Sequence, residues 1–301
     1  MRLTLRQLQI FAAIADTGST TAAGLRIALS QSAISGALNE LEDLLSARLF
    51  DRIGKRLLLN DNGRALLPRA RALLDEAQDI EGRFASGGAA SFPTRLRVGA
   101  STTIGNYLLP ALVAGFRRGW PAVRIDVQVG NTREVAELVA RLEVDMGLIE
   151  GPCHEADVQV TPWLEDELVI VCGPSHALAQ HPPDGRVPLK ALRQAQWLLR
   201  EPGSGTREAV EQVLLPHLHQ LEGEMQFGST EAIKHAAAAG LGLACLSRSA
   251  IEDLAALGKL QVLRTTLPRL LRRFYLIHHR QKRFTAGLER FAAYCAQAGA
   301  R

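Results

Sequence analysis

The sequence predicts an N-terminal winged helix-turn-helix, which is three short helices with a small β-wing, followed by a two-lobed α/β domain. Three observations predict this fold class. Apolar side chains recur at helical spacing in three segments before residue 46, and each segment follows a capping residue. A glycine-containing run of small residues near residue 88 then separates the helical part from the remainder. Beyond residue 95, short apolar runs alternate with amphipathic helices, which is typical of α/β architecture.

The helix-turn-helix is predicted by its capping residues and by one amphipathic stripe. Thr4 and Gln7 form a capping box for the first helix, and Gly18 ends that helix. Hydroxyl groups at residues 19–21 cap a short second helix, and Ser30 begins the third. The apolar stripe of the third helix consists of Ile34, Leu38, Leu41 and Leu45. Two short helices joined by a tight turn, the second of them amphipathic, are typical of this motif.

The opposite face of the third helix carries small or amide side chains, which can enter the major groove and reach base edges. The net charge of the whole chain is only +4, but seven Lys or Arg residues stand against two acidic ones between Arg48 and Arg71. This basic stretch lies where a wing would lie, so we expect Arg52, Lys55 and Arg56 to contact phosphates or the minor groove. The DNA contacts of the helix-turn-helix are expected from Thr21, Gln31, Ser32, Ser35, Gly36 and Asn39.

A heptad-like stripe follows the wing and predicts a linker helix. Its members are Leu66, Ala70, Leu73, Ala77, Ile80 and Phe84. A lone helix with this pattern packs on its own domain, whereas a helix that joins two domains favours pairing with a second subunit. We therefore predict a DNA-binding domain at 1–62, a linker helix with a hinge at 63–92, and a ligand-binding domain at 93–301. Lobe I of that domain comprises 93–162 and 268–301, and lobe II comprises 163–267.

In open α/β sheets, ligands bind beyond the carboxyl ends of strands, near the N-termini of helices. Hydroxyl, amide and glycine residues occupy these places in both lobes and suit a small anion, an oxyanion or a carboxylate. Arg200 and Arg207 flank one of these turns and could add positive charge. Glu150 would repel an anion unless it is protonated or hydrogen-bonded, so ordering of the loop is its alternative role. The candidate effector-binding residues are Ser101, Thr102, Thr103, Asn131, Thr132, Glu150, Gly203, Ser204, Gly205, Thr206, Ser229 and Thr230.

Several classes of function are excluded by what the sequence lacks. It contains no apolar run long enough to cross a bilayer and no export signal, so we expect a cytoplasmic protein without a membrane partner. Its four cysteines form no close pair, so we expect neither a metal nor a cofactor. It has no nucleophile elbow, phosphate-binding loop or zinc-protease motif, which argues against an enzyme. The basic stretch Arg269–Arg283 is interpreted as a solvated strand edge.

The segments SQSAIS (30–35), NELE (39–42) and LFDR (49–52) resemble the signature of LysR-type transcriptional regulators. Later segments, VDMGLIEG, EDELVIV and AAAAGLGLACLS, resemble that family too, so the likeness spans the chain. Within the family, QSAISGALNELE, IGNYLLP, GLIEGPCH and GSGTRE most resemble the YeiE-type subgroup, which is associated with sulfite. One departure concerns Gly36, where many members carry Arg or Lys.

The resemblance implies a homodimer or homotetramer on double-stranded promoter DNA, and RNA polymerase as a further partner if the protein is an activator. It also implies a periplasmic-binding-protein-like effector domain, with sulfite or a related oxyanion bound between the lobes. Other interpretations of the sequence stay open. The two-lobed domain fits a cytosolic solute-binding protein, and the effector could be a neutral or organic metabolite. Oxidation of the Cys153 thiol is a further alternative.

Overall fold

The computed structural model describes residues 2–54, 56–85, 95–180, 185–223 and 225–298. These residues form two compact units, one up to Ala85 and the other containing nearly all residues from Arg95 onward. Of the predicted DNA-binding residues, Lys55 lies outside the described residues. So do residues 86–91 of the predicted hinge and the side chain of Phe84.

The N-terminal unit is a winged helix-turn-helix with the predicted caps. Its elements are α1 (Leu5–Thr17), α2 (Thr20–Ile27), α3 (Gln31–Leu45), β1 (Phe50–Ile53), β2 (Arg56–Leu59) and α4 (Asp61–Ala85). The Thr4 hydroxyl accepts from the backbone N–H of Gln7, and α1 ends at Gly18 with φ +64°, a left-handed conformation that glycine adopts without strain. Because the caps and the apolar stripe are local, each helix begins and ends close to its predicted position.

The core of this unit includes the first half of α4, which changes the interpretation of the predicted linker stripe. Ala70 is fully buried with Phe11 and Ile34, and Leu66 packs against the same cluster. These two stripe positions therefore pack within their own unit and are not available for a partner subunit. Further along α4, the side chains of Leu73 and Ile80 are 50% and 51% exposed. The stripe thus divides into a part used internally and a part that faces solvent.

The second unit is an α/β domain. Its strands are β3 (Arg95–Ser101), β4 (Arg124–Gly130), β5 (Met146–Ile149), β6 (Val158–Cys172), β7 (Leu198–Arg200), β8 (Met225–Phe227), β9 (Ala244–Ser247), β10 (Gln261–Val262) and β11 (Leu270–His279). Its α-helices are α5 (Leu109–Gly119), α6 (Thr132–Ala140), α7 (Leu189–Arg193), α8 (Gly205–Leu218), α9 (Thr230–Ala238), α10 (Arg248–Ala256) and α11 (Ala286–Ala298). A π-helical turn, Ile104–Leu108, precedes α5.

Two long strands, β6 and β11, connect the lobes. They pair antiparallel in a sheet of order β10-β6-β11-β5-β3-β4, in which β9 also pairs with β6. The first part of β6, residues 158–167, carries exposed polar side chains that hide its strand pattern in the sequence. The first part of β11 alternates buried Leu270 and Arg272 with exposed neighbours. A register shift between Arg273 and Tyr275 interrupts the pairing where the strands pass between the lobes.

Each lobe has its own apolar core. In lobe I, α6 packs Val135 and Val139 against Ile149 of β5 and Ile277 of β11. In lobe II, the fully buried Trp197 lies in a larger cluster with side chains of α8 and β6. These cores hold the N-termini of α6 and α8 near the junction of the lobes. Within the described ranges, no helix is both long and apolar enough to cross a membrane.

Candidate functional site

The polar face of α3 is open to solvent. Gln31, Ser32, Gly36 and Asn39 are exposed, Ser35 is half-buried, and Thr21 of α2 is exposed. The Gln31 amide donates to Ser35 Oγ at 2.8 Å and to Thr20 Oγ1 at 3.3 Å, so this side chain is already oriented. A Cβ atom added at Gly36 would meet nothing within 4 Å. This face therefore has the shape and the hydrogen-bonding groups for a DNA groove.

The wing consists of β1 and β2, which pair antiparallel with Ile53 opposite Arg56. Arg52 and Arg56 are exposed on it. The basic charge predicted from local counting is partly neutralised in the structure. Arg71 is buried and paired with Asp16 of α1, and exposed Arg48 pairs with Glu42 at 2.6 Å. The local count overestimated the free charge because Asp16 is distant in sequence and Glu42 lies just before the counted stretch.

Glu42, the last residue of the NELE segment, joins α3 to the wing. Its buried carboxylate accepts from the backbone N–H of Leu49 at 2.8 Å and from Arg48. The N–H of Leu49 is thereby satisfied just before the wing strand begins. Glu42 thus sets the position of the wing relative to the helix expected to enter the groove.

In the α/β domain, the predicted effector residues lie at helix N-termini where the lobes meet. Asn131 caps α6, Ser204 caps α8 and Ser229 caps α9, each accepting from a backbone N–H. The backbone N–H of Arg133 in lobe I donates to the carbonyl of Gly203 in lobe II at 3.1 Å. A Cβ at Gly205 would clash with the Thr132 hydroxyl and the Glu150 backbone, so only glycine permits this approach. Within the described structure, the buried hydroxyls of Ser101 and Thr132 have no hydrogen-bond partner.

Three of the predicted residues, Thr103, Glu150 and Thr206, belong to a buried internal network. The Glu150 carboxylate accepts from the backbone N–H of Thr103 at 2.8 Å, from its hydroxyl at 2.7 Å and from the Thr206 hydroxyl. The Arg272 guanidinium donates to the same carboxylate at 2.9 Å. Burial by itself would raise the pKa of Glu150, but the charge of Arg272 and these hydrogen bonds outweigh it, so the pKa lies below its ordinary value. Glu150 is therefore ionised and paired.

Arg272 corrects the expectation that the stretch Arg269–Arg283 is a solvated edge. Its guanidinium is buried, donates to Asp166 of β6 at 2.7 Å, and lies over the Phe274 ring. A sequence signal for this position existed. Leu270, Arg272 and Phe274 alternate along one strand face, and the two apolar residues identify that face as the buried one.

A cleft between the lobes brings two predicted residues together with Arg200. We call it the Arg200 cleft; its volume is about 300 Å³, and its lining residues are Thr102, Val129, Gly130, Asn131, Glu134, Arg200, Glu201 and Gly228. The Arg200 side chain is only 2% exposed. It donates to Thr102 Oγ1 of lobe I at 3.1 Å and to Thr230 Oγ1 of lobe II at 2.8 Å. The cleft therefore contains a buried cation held by hydroxyls of both lobes.

Glu201, which sequence analysis missed, is the counter-ion of Arg200. Its two carboxylate oxygens accept from Arg200 Nε at 2.7 Å and Nη2 at 2.9 Å. Burial by itself would raise the pKa of Glu201, but Arg200 and a hydrogen bond with the Asn131 side chain hold it below its ordinary value. An acidic residue next in sequence to an arginine gives no signal of pairing, because neighbouring side chains in a strand usually point to opposite faces.

A larger cavity of about 760 Å³ lies beside Cys153. We call it the Cys153 cavity; its lining residues are Thr132, Arg133, Ala136, Glu137, Pro152, Cys153, His154, Glu155, Pro202, Gly203, Ser204, Arg207, Glu208 and Glu211. Its wall carries four carboxylates against two guanidinium groups, and Arg207 is paired with Glu211 at 2.8 Å. The Cys153 cavity therefore presents more carboxylates than guanidinium groups to a ligand.

The pKa values of the four cysteine thiols argue against thiol chemistry. All four cysteines lie within the described residues and are free. Burial raises the pKa of Cys153, raises that of Cys172 to about 11, and raises those of Cys245 and Cys295 to about 12. A thiol that stays protonated is a poor nucleophile. Among the described residues, no group of three or more His, Cys, Asp or Glu side chains is placed to hold a metal.

The sequence analysis did not predict a second polar connection between the lobes. The π-helical turn carries Tyr107, whose hydroxyl donates to Glu231 of α9. Lys234, whose side chain is fully buried, donates to Tyr107 at 3.1 Å and pairs with Glu231 at 3.0 Å and Asp253 at 2.9 Å. The ammonium group of this buried lysine is therefore satisfied by one phenol oxygen and two carboxylates.

Comparison with known proteins gives two family matches. Residues 5–64 match the family "Bacterial regulatory helix-turn-helix protein, lysR family", and residues 89–300 match "LysR substrate binding domain". The HTH-type transcriptional regulator YeiE of Escherichia coli K12 is 49% identical over 98% of each chain.

Two solved structures are similar in fold. A full-length OxyR of Pseudomonas aeruginosa has a TM-score of 0.76 and 25% identity, covering 98% of this chain and 95% of that one. The regulatory domain of CcmR of Synechocystis PCC6803, in complex with 2-PG, has a TM-score of 0.62 and 28% identity. That match covers 68% of this chain and 97% of the CcmR domain.

Proposed function

Because the chain belongs to the LysR family of DNA-binding transcriptional regulators, we propose that its α/β domain binds a small anionic effector, sulfite or a related oxyanion, in the Arg200 cleft. Its relatives are named transcriptional regulators and not enzymes, and this chain is likewise a regulator with an effector-binding domain.

The observation that carries this proposal is the buried guanidinium of Arg200, which donates to Thr102 in lobe I and Thr230 in lobe II. A guanidinium presents donors in a planar fork that matches an oxyanion, and a charge placed between two lobes can draw both onto one ligand. The complex of the CcmR domain with 2-PG supports a small-molecule effector in this domain.

The predicted effector residues then divide by role. Thr102 and Asn131 bind the anion together with Arg200, while Thr230 holds that arginine. Thr103, Glu150 and Thr206 order the loop through the buried network, which is the alternative role considered for Glu150. Gly203, Ser204, Gly205 and Ser229 shape the helix ends where the lobes meet, and the remaining two, Ser101 and Thr132, are buried at a strand end and a helix end.

On DNA, α3 of two subunits enters successive major grooves of a promoter, and Arg52 and Arg56 hold the phosphates through the wing. The second part of the α4 stripe, exposed Leu73 and Ile80 with half-buried Ala77, pairs the subunits, and a further pairing gives a tetramer. The anion stabilises one arrangement of the lobes over another, and that difference in stability shifts the DNA-bound form. The protein acts in the cytoplasm, with RNA polymerase as a partner where it activates transcription.

Thermal unfolding of the full chain with sodium sulfite, sodium sulfate and small carboxylates tests the effector site, with sodium chloride matching the ionic strength. A specific oxyanion is expected to raise Tm of the wild type, and Thr102→Ala is expected to remove most of this increase. Ser204→Ala is the matched control, since Ser204 lines the other cavity and caps α8. It is expected to lower Tm while keeping the ligand-induced increase. Equal ligand-induced increases in all three proteins would show that the anion binds elsewhere.

A further inference from the structure

The anion-binding groups of the Arg200 cleft already hold a carboxylate that belongs to the chain. Both oxygens of Glu201 accept from Arg200, at 2.7 and 2.9 Å. Asn131 of lobe I lines the same cleft. Arg200 is the cation assigned above to the effector, so Glu201 already has the contacts with Arg200 that an incoming oxyanion would make.

The donors and charges of the cleft make simultaneous binding unfavourable. Of the five N–H groups of Arg200, one goes to Thr230, one to Thr102 and two to Glu201. A two-oxygen contact with an oxyanion thus requires the donors that Glu201 holds. In addition, the charge of Glu201 offsets that of Arg200, whereas Glu134 is exposed and its charge is screened by solvent. As long as Glu201 stays in place, Arg200 therefore attracts an anion only weakly.

Resting on the effector site proposed above, the geometry points to Glu201 as an internal competitor, whose carboxylate leaves Arg200 when the effector anion binds. Thr102 and Asn131 line the cleft from lobe I, and Arg200 and Glu201 line it from lobe II, so an anion that takes the place of Glu201 contacts both lobes. Binding of the anion is in this way coupled to the arrangement of the lobes.

The exchange also sets the chemical class of the effector. A monocarboxylate offers Arg200 the same group as Glu201, but without the high effective concentration of a tethered side chain. A doubly charged oxyanion offers more charge and a third oxygen for Thr102, so it competes where acetate does not. Glu201 therefore selects for dianionic oxyanions.

Titration calorimetry of the full chain with sodium sulfate, sodium sulfite and sodium acetate, at constant ionic strength, tests this role. Glu201→Gln keeps the shape and removes the competing charge, so it is expected to lower Kd for the oxyanion about tenfold, the scale of one charged contact. It is also expected to make acetate binding measurable. Glu134→Gln is the matched control, because Glu134 lines the same cleft but bonds to the Asn131 backbone rather than to Arg200. This control is expected to change Kd by about twofold or less.

Two further variants distinguish an effect of Glu201 on anion binding from an effect on folding. Glu201→Ala is expected to bind at least as tightly as Glu201→Gln, and Glu201→Asp to fall between these and the wild type, with Tm of each recorded. If the wild type binds the oxyanion and no folded Glu201 variant binds it more tightly than Glu134→Gln does, the competitor role is wrong while the effector site stands. If neither the wild type nor any folded Glu201 variant binds an oxyanion, the proposed effector class is wrong and the competitor role fails with it.

Discussion

The Arg272 guanidinium donates to the Glu150 carboxylate at 2.9 Å, and this buried pair connects β11 to the loop that follows β5. Arg272 also lies opposite Asp166 in the register of β11 and β6, and bonds to it at 2.7 Å. The buried guanidinium of Arg272 therefore pairs with two carboxylates where the long strands pass between the lobes. The backbone N–H of Thr103 and the hydroxyl of Ser247 complete the set by donating to Glu150 and Asp166.

Loss of Arg272 is expected to destabilise the α/β domain strongly. Arg272→Met leaves two buried carboxylates without their cation, and breaking a buried pair in this way costs about 3–5 kcal/mol. The neighbouring Arg273 offers a matched control, because its pair with Glu165 is exposed. Arg273→Met is expected to change the free energy of unfolding by about 0.5 kcal/mol or less. Denaturant unfolding measures the change in free energy of unfolding for both variants. Similar changes would contradict a stabilising role of the buried network around Arg272.

Glu150 is expected to make the protein sensitive to acid. Because its pKa in the folded protein is lowered, its contribution to stability is present above the unfolded-state pKa of about 4.3. This contribution is lost as the pH falls from there through the lower folded-state pKa. Glu150→Gln carries no titrating group, so its Tm is expected to be lower than that of the wild type at pH 7 but to fall less on acidification. Parallel curves of Tm against pH for the two proteins would contradict this assignment.

Gly36 is expected to tolerate a side chain, whereas Gly24 is not. A Cβ at Gly36 meets open space, so Gly36→Ala should stabilise α3 by about 0.5–1 kcal/mol. A Cβ at Gly24 would lie 2.6 Å from the carbonyl oxygen of Leu29, so Gly24→Ala should destabilise the unit. Thermal unfolding compares them, and a loss of stability in Gly36→Ala would show that α3 is more crowded than described.

Gly36→Arg tests whether this face of α3 contacts DNA. An arginine on the polar face adds one phosphate or base contact, so affinity for promoter DNA should rise and the slope of log K against log salt should steepen by about one. Glu40→Arg, at another exposed position of α3, serves as a comparison. It changes the charge by two units, whereas Gly36→Arg changes it by one. If neither the affinity nor the slope changes in Gly36→Arg, this face does not approach the duplex.

The wing is expected to depend on Glu42. Glu42→Ala leaves the Leu49 N–H without its acceptor, which costs about 1–3 kcal/mol and loosens the junction between α3 and β1. Glu40→Ala, two positions away and exposed, should change stability by about 0.5 kcal/mol or less. For both variants, the free energy of unfolding of the full chain is measured in one experiment. The affinity of the folded chain for promoter DNA is measured in another, at one salt concentration. Equal effects of the two substitutions would contradict the role of Glu42 at the junction.

The exposed part of the α4 stripe is expected to hold subunits together. Leu73→Glu combined with Ile80→Glu places two charges on the face proposed for pairing, so the oligomer should dissociate at concentrations where the wild type stays associated. Gln78→Glu, which is on α4 but outside the stripe, is the control. Sedimentation velocity gives the result, and an unchanged mass for the double variant would locate the interface elsewhere.

Local sequence patterns predicted much of the fold. The caps at Thr4, Ser30 and Ser204 and the stripe of α3 involve residues within a turn or two of one another, so their positions follow from helix geometry alone. The alternation of strands and helices likewise predicted a two-lobed α/β domain. The same patterns identified Thr102 and Asn131 as candidates, because both follow strands at the edge where ligands bind.

The sequence by itself therefore determined the elements, the fold class, the polar face of α3 and the helix ends where the lobes meet. Only the tertiary structure decided which charges are free and which are paired. Arg71 with Asp16, and Arg272 with Glu150, are separated by 55 and 122 positions, and no local pattern encodes such pairs. The physical reason is that a charge in a folded protein responds to whichever groups share its low-dielectric surroundings, and chain order does not specify those groups.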